Sequence, residues 1–341
     1  MCSIISNSFI SNLEFMWQKG NLNAFDIKGQ KMSSQKPLVV VSGATGVQGG
    51  SVVNSLLATG KYRVRALTRN SESDKAKALV AKGAEVFKCD LSIKEDVKNA
   101  LNGSDIAFIN TNSWDPAIYP NNPTQEERQG KMIADVAKEI GLNWLIYSSL
   151  PETIEGFEGS NYNVVAFYGK NRVEKYIRAL GISNATFIYI GFYASNIGTL
   201  YPIITKNDGT SEFVMPVVKE DTTIEIIDVE TDTGPVVAKV IEEGPEKWNG
   251  KKVPVASERI SFGKIAETLT KVTGRQVKLR TPNPEETKKE FPSLERSLDM
   301  FRWFNEYGVF RSEISDISVA KVLHPNITTF EQYAYKTWGN K

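Results

Sequence analysis

Residues 38–57, with the sequence LVVVSGATGVQGGSVVNSLL, constrain the fold of this 341-residue chain more than any other stretch. A short apolar run, Leu38–Val41, leads directly into three glycines at Gly43, Gly46 and Gly49. Behind them comes a helix-forming segment with apolar residues at Val52, Val53, Leu56 and Leu57. Strand, glycine turn and helix in that order begin a dinucleotide-binding βαβ unit. Glycine lets the backbone turn sharply and approach a pyrophosphate closely. The helix N-terminus then offers unpaired N–H groups and a positive dipole end to the phosphate charge. The G-x-x-G-x-x-G spacing alone would also fit a plain structural turn. The flanking strand and helix are what point to a nucleotide.

From residue 38 onward short β-rich runs alternate with helical patterns. Strands are predicted over 38–42, 63–67, 85–88, 106–110, 144–147 and 186–190. Helices are predicted over 49–58, 73–82, 94–101, 125–140 and 171–180. That alternation predicts an α/β fold, a Rossmann-type doubly wound parallel sheet with right-handed crossovers and ligands at the strands' carboxyl ends. After Gly191 the regularity breaks. A loop-like stretch over 191–209 precedes predicted strands at 212–215, 222–229, 251–256 and 277–280. Helices are expected at 232–243, 262–273, from 284 onward and at 330–337. The expected organisation is an N-terminal extension over 1–36, a dinucleotide-binding domain over 37–191, and a smaller mixed α+β lobe over 192–341. No Pro/Gly/Ser-rich hinge separates the last two, so the lobe should be interleaved with the sheet and packed tightly.

Composition excludes several classes. Hydrophobic residues make up 41% and charged residues 24%, an ordinary globular balance. The formal net charge of +1 gives no electrostatic case for nucleic acid or an anionic membrane. No apolar run approaches the roughly 20 residues of a membrane span. Cys2 and Cys89 are the only cysteines, which rules out a disulfide framework and fits a reducing compartment. A zinc site or a Ser-His-Asp triad would have to rest on the single histidine, His324, which argues against both. Residues 1–36 are Asn- and Ser-rich, interrupt any signal-peptide core, contain no Arg and carry Glu14 and Asp26. They are expected to be a disordered extension, or to reflect an upstream start codon before Met32.

The candidate site residues lie at strand ends. The second strand runs into Thr68, Arg69 and Asn70, about twenty residues past the glycines, where NAD binders place an acidic residue for the ribose 2′-hydroxyl. A guanidinium there suits a 2′-phosphate, because its fork of donors matches phosphate oxygens. NADP(H) is therefore favoured over NAD(H), against the alternative of a solvated basic turn with Lys75 and Lys77. The third strand ends in Lys88, Cys89 and Asp90, where related folds contact the adenine. The fourth ends in Asn110, Thr111, Asn112 and Ser113, on the path toward the nicotinamide. Cys89 beside Asp90 is read as a buried structural thiol rather than a redox centre. The cluster Phe301, Trp303 and Phe304 is read as packing, and 285–290 as a solvated helix face with local ion pairs.

Tyr147-Ser148-Ser149 at the end of the fifth strand, with Lys170 opening the next helix, resembles the short-chain dehydrogenase arrangement. In that superfamily a tyrosine four residues before the lysine moves the proton, and the lysine lowers its pKa. That position is Ala166 here, while Tyr168, two residues before Lys170, would point to a different helix face. Taken together, GATGVQGGSVV, LTRN, FINTNSW, RQGKMIADVAKEIGL, GKNRVEKYIRALG, EKWNG, FPSLERSLDMFRWF and TTFEQYAYKTWG resemble the NmrA-like family, closest to its redox-sensor branch. The resemblance covers the chain from about residue 38 to its end. It implies an atypical short-chain dehydrogenase that binds NADP(H), senses the NADPH/NADP ratio and acts through a regulatory protein partner, with little or no turnover. It also implies site roles. Gly43, Ala44, Thr45, Gly46, Val47, Gln48 and Gly49 would hold the pyrophosphate, and Arg69 the 2′-phosphate. Lys88 and Asp90 would lie by the adenine ribose. Thr111, Asn112 and Ser113 would line the cofactor, and Arg128 would reach in from the following helix. Lys170 would bond the nicotinamide ribose. Tyr193, Ala194, Ser195 and Asn196 would close over the nicotinamide end. A homodimer and a cytoplasmic location, with nuclear entry for a transcription regulator, are further expectations. The alternative is an active NADPH-dependent reductase of quinones or small carbonyls, with Lys170 or Tyr168 in the proton relay.

Overall fold

A computed structural model describes residues 35–113, 115, 124–153, 164–311, 314 and 316–339. The expected extension over 1–36 lies outside the described residues except for Gln35 and Lys36. From there the chain runs β1 (Leu38–Val41), α1 (Val47–Thr59), β2 (Arg63–Thr68), α2 (Asp74–Ala81), β3 (Glu85–Lys88) and α3 (Lys94–Leu101). It continues through β4 (Ile106–Ile109), α4 (Gln125–Glu139), β5 (Trp144–Ser149), α5 (Val165–Leu180) and β6 (Ala185–Ile190). The second half contributes β7 (Phe192–Tyr193), β8 (Ile203–Thr205), β9 (Ser211–Val214), β10 (Thr223–Ile227), α6 (Val229–Glu243) and α7 (Pro245–Trp248). After these come β11 (Lys252–Val255), β12 (Glu258–Ser261), α8 (Phe262–Thr273), β13 (Val277–Arg280), α9 (Pro284–Glu290), α10 (Leu298–Tyr307), α11 (Ser318–Leu323) and α12 (Phe330–Trp338).

Seven of these strands form one parallel sheet in the order β11-β6-β5-β4-β1-β2-β3. The order reverses between β1 and β4, the switch point where a doubly wound fold opens a crevice. Both faces of the sheet are covered, which is why β1 reads as an unbroken apolar run with every residue buried. Val39, Val41, Phe108, Ile146 and Ile188 pack with α1 and α6 on one face. Val40, Ala107, Ile109, Leu145 and Tyr147 pack with α4 and α5 on the other. Each such fully buried Val, Ile or Phe side chain contributes roughly 1.5–3 kcal/mol through area removed from water.

The second half is not a layer apart from this sheet. Its β11 forms the sheet's edge beside β6, and its α6 crosses α1. Gly234 on α6 makes that crossing close: a Cβ there would collide with the Ser51 carbonyl, and the Gly234 N–H donates to Ser51 Oγ at 2.9 Å. Two small sheets, β12-β10-β7 and β13-β9-β8, build the remaining wall.

Several boundaries differ from the sequence expectation for physical reasons. Helix α5 starts at Val165, not at residue 171, so Lys170 sits in its second turn. Val164 caps that helix without any side-chain bond, and Gly169 interrupts the apolar pattern, so no start signal was visible. Helix α6 starts at Val229 because Asp228 accepts from the Thr231 N–H as its N-cap. The short strands β7, β8 and β12 and helices α7 and α11 are too brief to register as periodic patterns.

Candidate dinucleotide site

The cradle is built from the turn after β1. Gly43 takes a left-handed φ of +60°, and the Gly46 N–H donates back to the Gly43 oxygen at 2.9 Å. Gly46 is the α1 N-cap and carries no side-chain cap, so the first N–H groups of a thirteen-residue helix face the crevice without a protein partner from a cap. Gly49 lets helix and strand touch: a Cβ there would lie 2.5 Å from the Ser42 oxygen. Each glycine therefore has its own role, turn, open N-terminus and close packing, which is what a pyrophosphate cradle needs.

A cleft of 840 Å3 opens from this cradle along the carboxyl ends of the strands. Ligand sites usually span about 300–1,000 Å3, so a dinucleotide fits. Of the expected residues, Gly43, Thr45, Gly46, Val47, Gln48, Arg69, Asp90, Thr111, Asn112, Ser113, Lys170, Tyr193 and Asn196 line it. Six others do not. Ala44 is buried with its N–H on the Leu67 oxygen, and Gly49 lies beneath the cradle. Lys88, the last residue of β3, is exposed, while the next two residues, Cys89 and Asp90, face the cleft. Arg128 is exposed because α4 turns Glu126, Gln129, Gly130 and Ile133 inward and position 128 away from that face. Ala194 is buried in the wall, and Ser195, half-buried, receives the Thr199 hydroxyl on its backbone oxygen.

The centre of the cleft holds a network that local patterns did not reveal. Lys170 Nζ lies 2.7 Å from Glu126 Oε1 and donates to the Thr111 carbonyl at 2.8 Å and the Thr111 hydroxyl at 3.0 Å. Glu126 is buried and also accepts from Thr111 Oγ1 at 2.7 Å and Ser113 Oγ at 2.6 Å. Because the Thr111 proton goes to Glu126, the Tyr147 hydroxyl at 3.2 Å is left to donate to Thr111. Burial, with the Glu126 charge nearby, drives the Tyr147 phenol upward, so it stays neutral. The Lys170 ammonium thus has its three donors engaged and its charge balanced by Glu126. A buried glutamate in phase with Gln129, Gly130 and Ile133 was the signal that could have exposed it.

Further polar bonds tie the walls together. Gln48 Nε2 donates to Ser148 Oγ at 2.9 Å, joining α1 to β5 across the floor. Ser149 Oγ donates to buried Glu174 at 2.6 Å, which also takes the Tyr189 hydroxyl and Arg178. Arg69 Nη1 sits 2.7 Å from Asp115 Oδ2. Asp115 and Gln129 line the cleft and were not anticipated as site residues, while Ser148 and Ser149, singled out at the end of the fifth strand, line it as well. Cys89 is buried, and desolvation, with Asp96 and Asp90 adding to it, pushes its thiol up to about 12, so it is an inert structural cysteine.

Away from the cradle the lining turns apolar and aromatic. Phe167, Phe192, Tyr193, Tyr201, Met300 and Phe304 contribute there, with Phe192 stacked on Tyr201 at 5.7 Å and Phe167 edge-on to Phe304 at 6.0 Å. Phe301, Trp303 and Phe304 are buried packing residues as expected, and Phe304 also forms cleft wall. Desolvation pushes the Tyr193 phenol up to about 12. Tyr168 points elsewhere, under the Arg172 guanidinium at 4.9 Å. Position 166, in the first turns of α5, holds alanine rather than tyrosine. Among the described residues no cluster of three or more His, Cys, Asp or Glu could hold a metal ion, and no helix is long and apolar enough to cross a membrane.

A sheet that reverses at β1/β4 over a glycine turn, with Lys170 buried at the cleft and alanine four positions before it, is the fold of the atypical short-chain dehydrogenase class. The chain belongs to the NmrA-like family, whose model matches residues 35–334. It is similar to the NmrA-like family domain-containing oxidoreductase cpsB of Aspergillus campestris, 36% identical over 72% of this chain and 76% of that protein. An NmrA-like family domain-containing protein of Dictyostelium discoideum is 32% identical over 87% of this chain and 97% of its own length. Among solved structures it is similar to NmrA, a negative transcriptional regulator, in complex with NAD. That likeness has a TM-score of 0.74 and 25% identity, and covers 89% of this chain and 96% of that one.

Proposed function

We propose that this chain is an NADP(H)-binding regulatory protein that responds to the NADPH/NADP ratio through a protein partner, with little or no turnover. The observation that carries the proposal is the state of Lys170. Its ammonium is held by Glu126 and Thr111, and the residue four positions earlier is Ala166, so the usual proton-transfer position holds no phenol. Arg69 at the end of β2 supports the phosphorylated dinucleotide, since a guanidinium there matches a 2′-phosphate. The bound cofactor would supply hydride chemistry. This chain's own residues would hold it: the Gly43–Gly46 turn and α1 N-terminus the pyrophosphate, Arg69 the 2′-phosphate, and Thr111 and Lys170 the nicotinamide side. A homodimer, and a cytoplasmic site with access to the nucleus, belong to the same proposal.

A second reading, an NADPH-dependent reductase, is favoured by the aromatic end of the cleft, roomy enough for an apolar acceptor beside the cofactor. Tyr193, neutral at physiological pH, would then be the proton donor to consider. Two measurements separate the readings. Arg69→Ala should weaken NADPH binding far more than NADH binding; equal losses would defeat the 2′-phosphate assignment. NADPH oxidation against a panel of quinones and carbonyls should give no sustained turnover. Steady turnover that disappears in Lys170→Ala would make the chain an enzyme.

A further inference from the structure

The cation at the end of β2 does not reach the cleft unpaired. Arg69 Nη1 lies 2.7 Å from Asp115 Oδ2, and the two side chains differ in exposure, 63% against 12%. The carboxylate is the more buried member. The Asp115 N–H donates to the Asn112 oxygen at 3.3 Å, and the exposed guanidinium lies against the carboxylate. Lys75 and Asp90 also line the cleft. Two cations and two carboxylates leave the adenine-side lining balanced, unlike a pocket shaped only to neutralise a phosphate dianion.

We propose that Asp115 is a specificity-determining residue that competes with the ribose 2′-phosphate for Arg69 and so lowers the preference for NADP(H) over NAD(H). This rests on Arg69 being the 2′-phosphate partner. A guanidinium paired with a carboxylate can still bind phosphate through its remaining donors. The incoming oxygens then meet the Asp115 charge a few ångströms away, and like charges at that range repel. A 2′-hydroxyl meets no such conflict, because it can donate to the carboxylate as it does to acidic residues near this place in NAD-binding folds. Asp115 thus acts on the two dinucleotides in opposite directions.

The test is equilibrium titration of the full chain with NADPH, NADH and adenosine 2′,5′-bisphosphate, in wild type, Asp115→Asn, Arg69→Ala and the double variant. Asp115→Asn should tighten NADPH and the bisphosphate about tenfold, the effect of shifting one neighbouring ionisation by a unit. NADH affinity should stay constant or fall. Placed in the Arg69→Ala background, the same substitution should tighten NADPH by clearly less, because only the direct repulsion and no longer the competition for the guanidinium is relieved. Asp115→Ser removes the charge by a different route and should act in the same direction, which guards against a folding defect. Weakened or unchanged NADPH binding in both Asp115 variants would overturn the proposal. Failure of the underlying assignment is seen separately, as equal loss of NADPH and NADH affinity in Arg69→Ala.

Discussion

A methyl group added at Gly49 would lie 2.5 Å from the Ser42 oxygen, so α1 would have to lift away from β1. Gly49→Ala should lower stability by about 1–3 kcal/mol, the usual range for overpacking, and should weaken dinucleotide binding as the cradle widens. Thermal melting with and without NADPH checks both effects; an unaltered melting temperature and affinity would mean that the helix gives way freely. At this scale legibility followed locality. The glycines and Arg69 announce themselves because their roles depend on neighbours a few residues away. Asp115 gave no such signal and Glu126 only its phase on α4, since each acquires meaning from a partner that only folding supplies, Arg69 just after β2 or Lys170 on α5.

The helices α4 and α5 meet through a buried ion pair and a tight contact, Gly130 lying under Val173 and the Tyr147 hydroxyl. Removing one partner of such a pair leaves a charge buried alone, which costs about 3–5 kcal/mol. Glu126→Gln and Lys170→Met should each destabilise the chain strongly, and the double variant by clearly less than their sum. Urea unfolding of the four proteins gives the coupling; simple additivity would show that the two side chains act independently. Element assignment from sequence was sound at α3 and β3, whose observed ranges match the expected 94–101 and 85–88. It slipped at α5, where the first turns lack a cap and contain Gly169, and at β7, β8 and β12, whose existence depends on tertiary pairing alone.

The molecule as a whole carries groups whose neutral forms are held by burial. Cys89 and Tyr201 are both pushed up to about 12, from ordinary values of 9.0 and 10.0, chiefly by desolvation. The unfolded chain releases these protons at lower pH than the folded one, so folded-state stability is complete below about pH 9 and falls as pH rises toward 12. Denaturation midpoints measured from pH 7 to 11 should decline above pH 9; a flat profile would show that neither group titrates on unfolding. The parallel α/β architecture was legible because alternating short apolar runs and helices leave few other ways to bury both sheet faces. The strand at 252–255 was legible, but not its membership of the main sheet, because its place at the β6 edge is a property of the folded sheet and not of those residues.

Gly234 and Ser51 are joined across 183 positions of sequence. The cradle glycines are thus translated well before the helix that braces their own helix, and the edge strand β11 follows later still. The part of the chain most plainly written for a nucleotide is completed only by residues translated well after it.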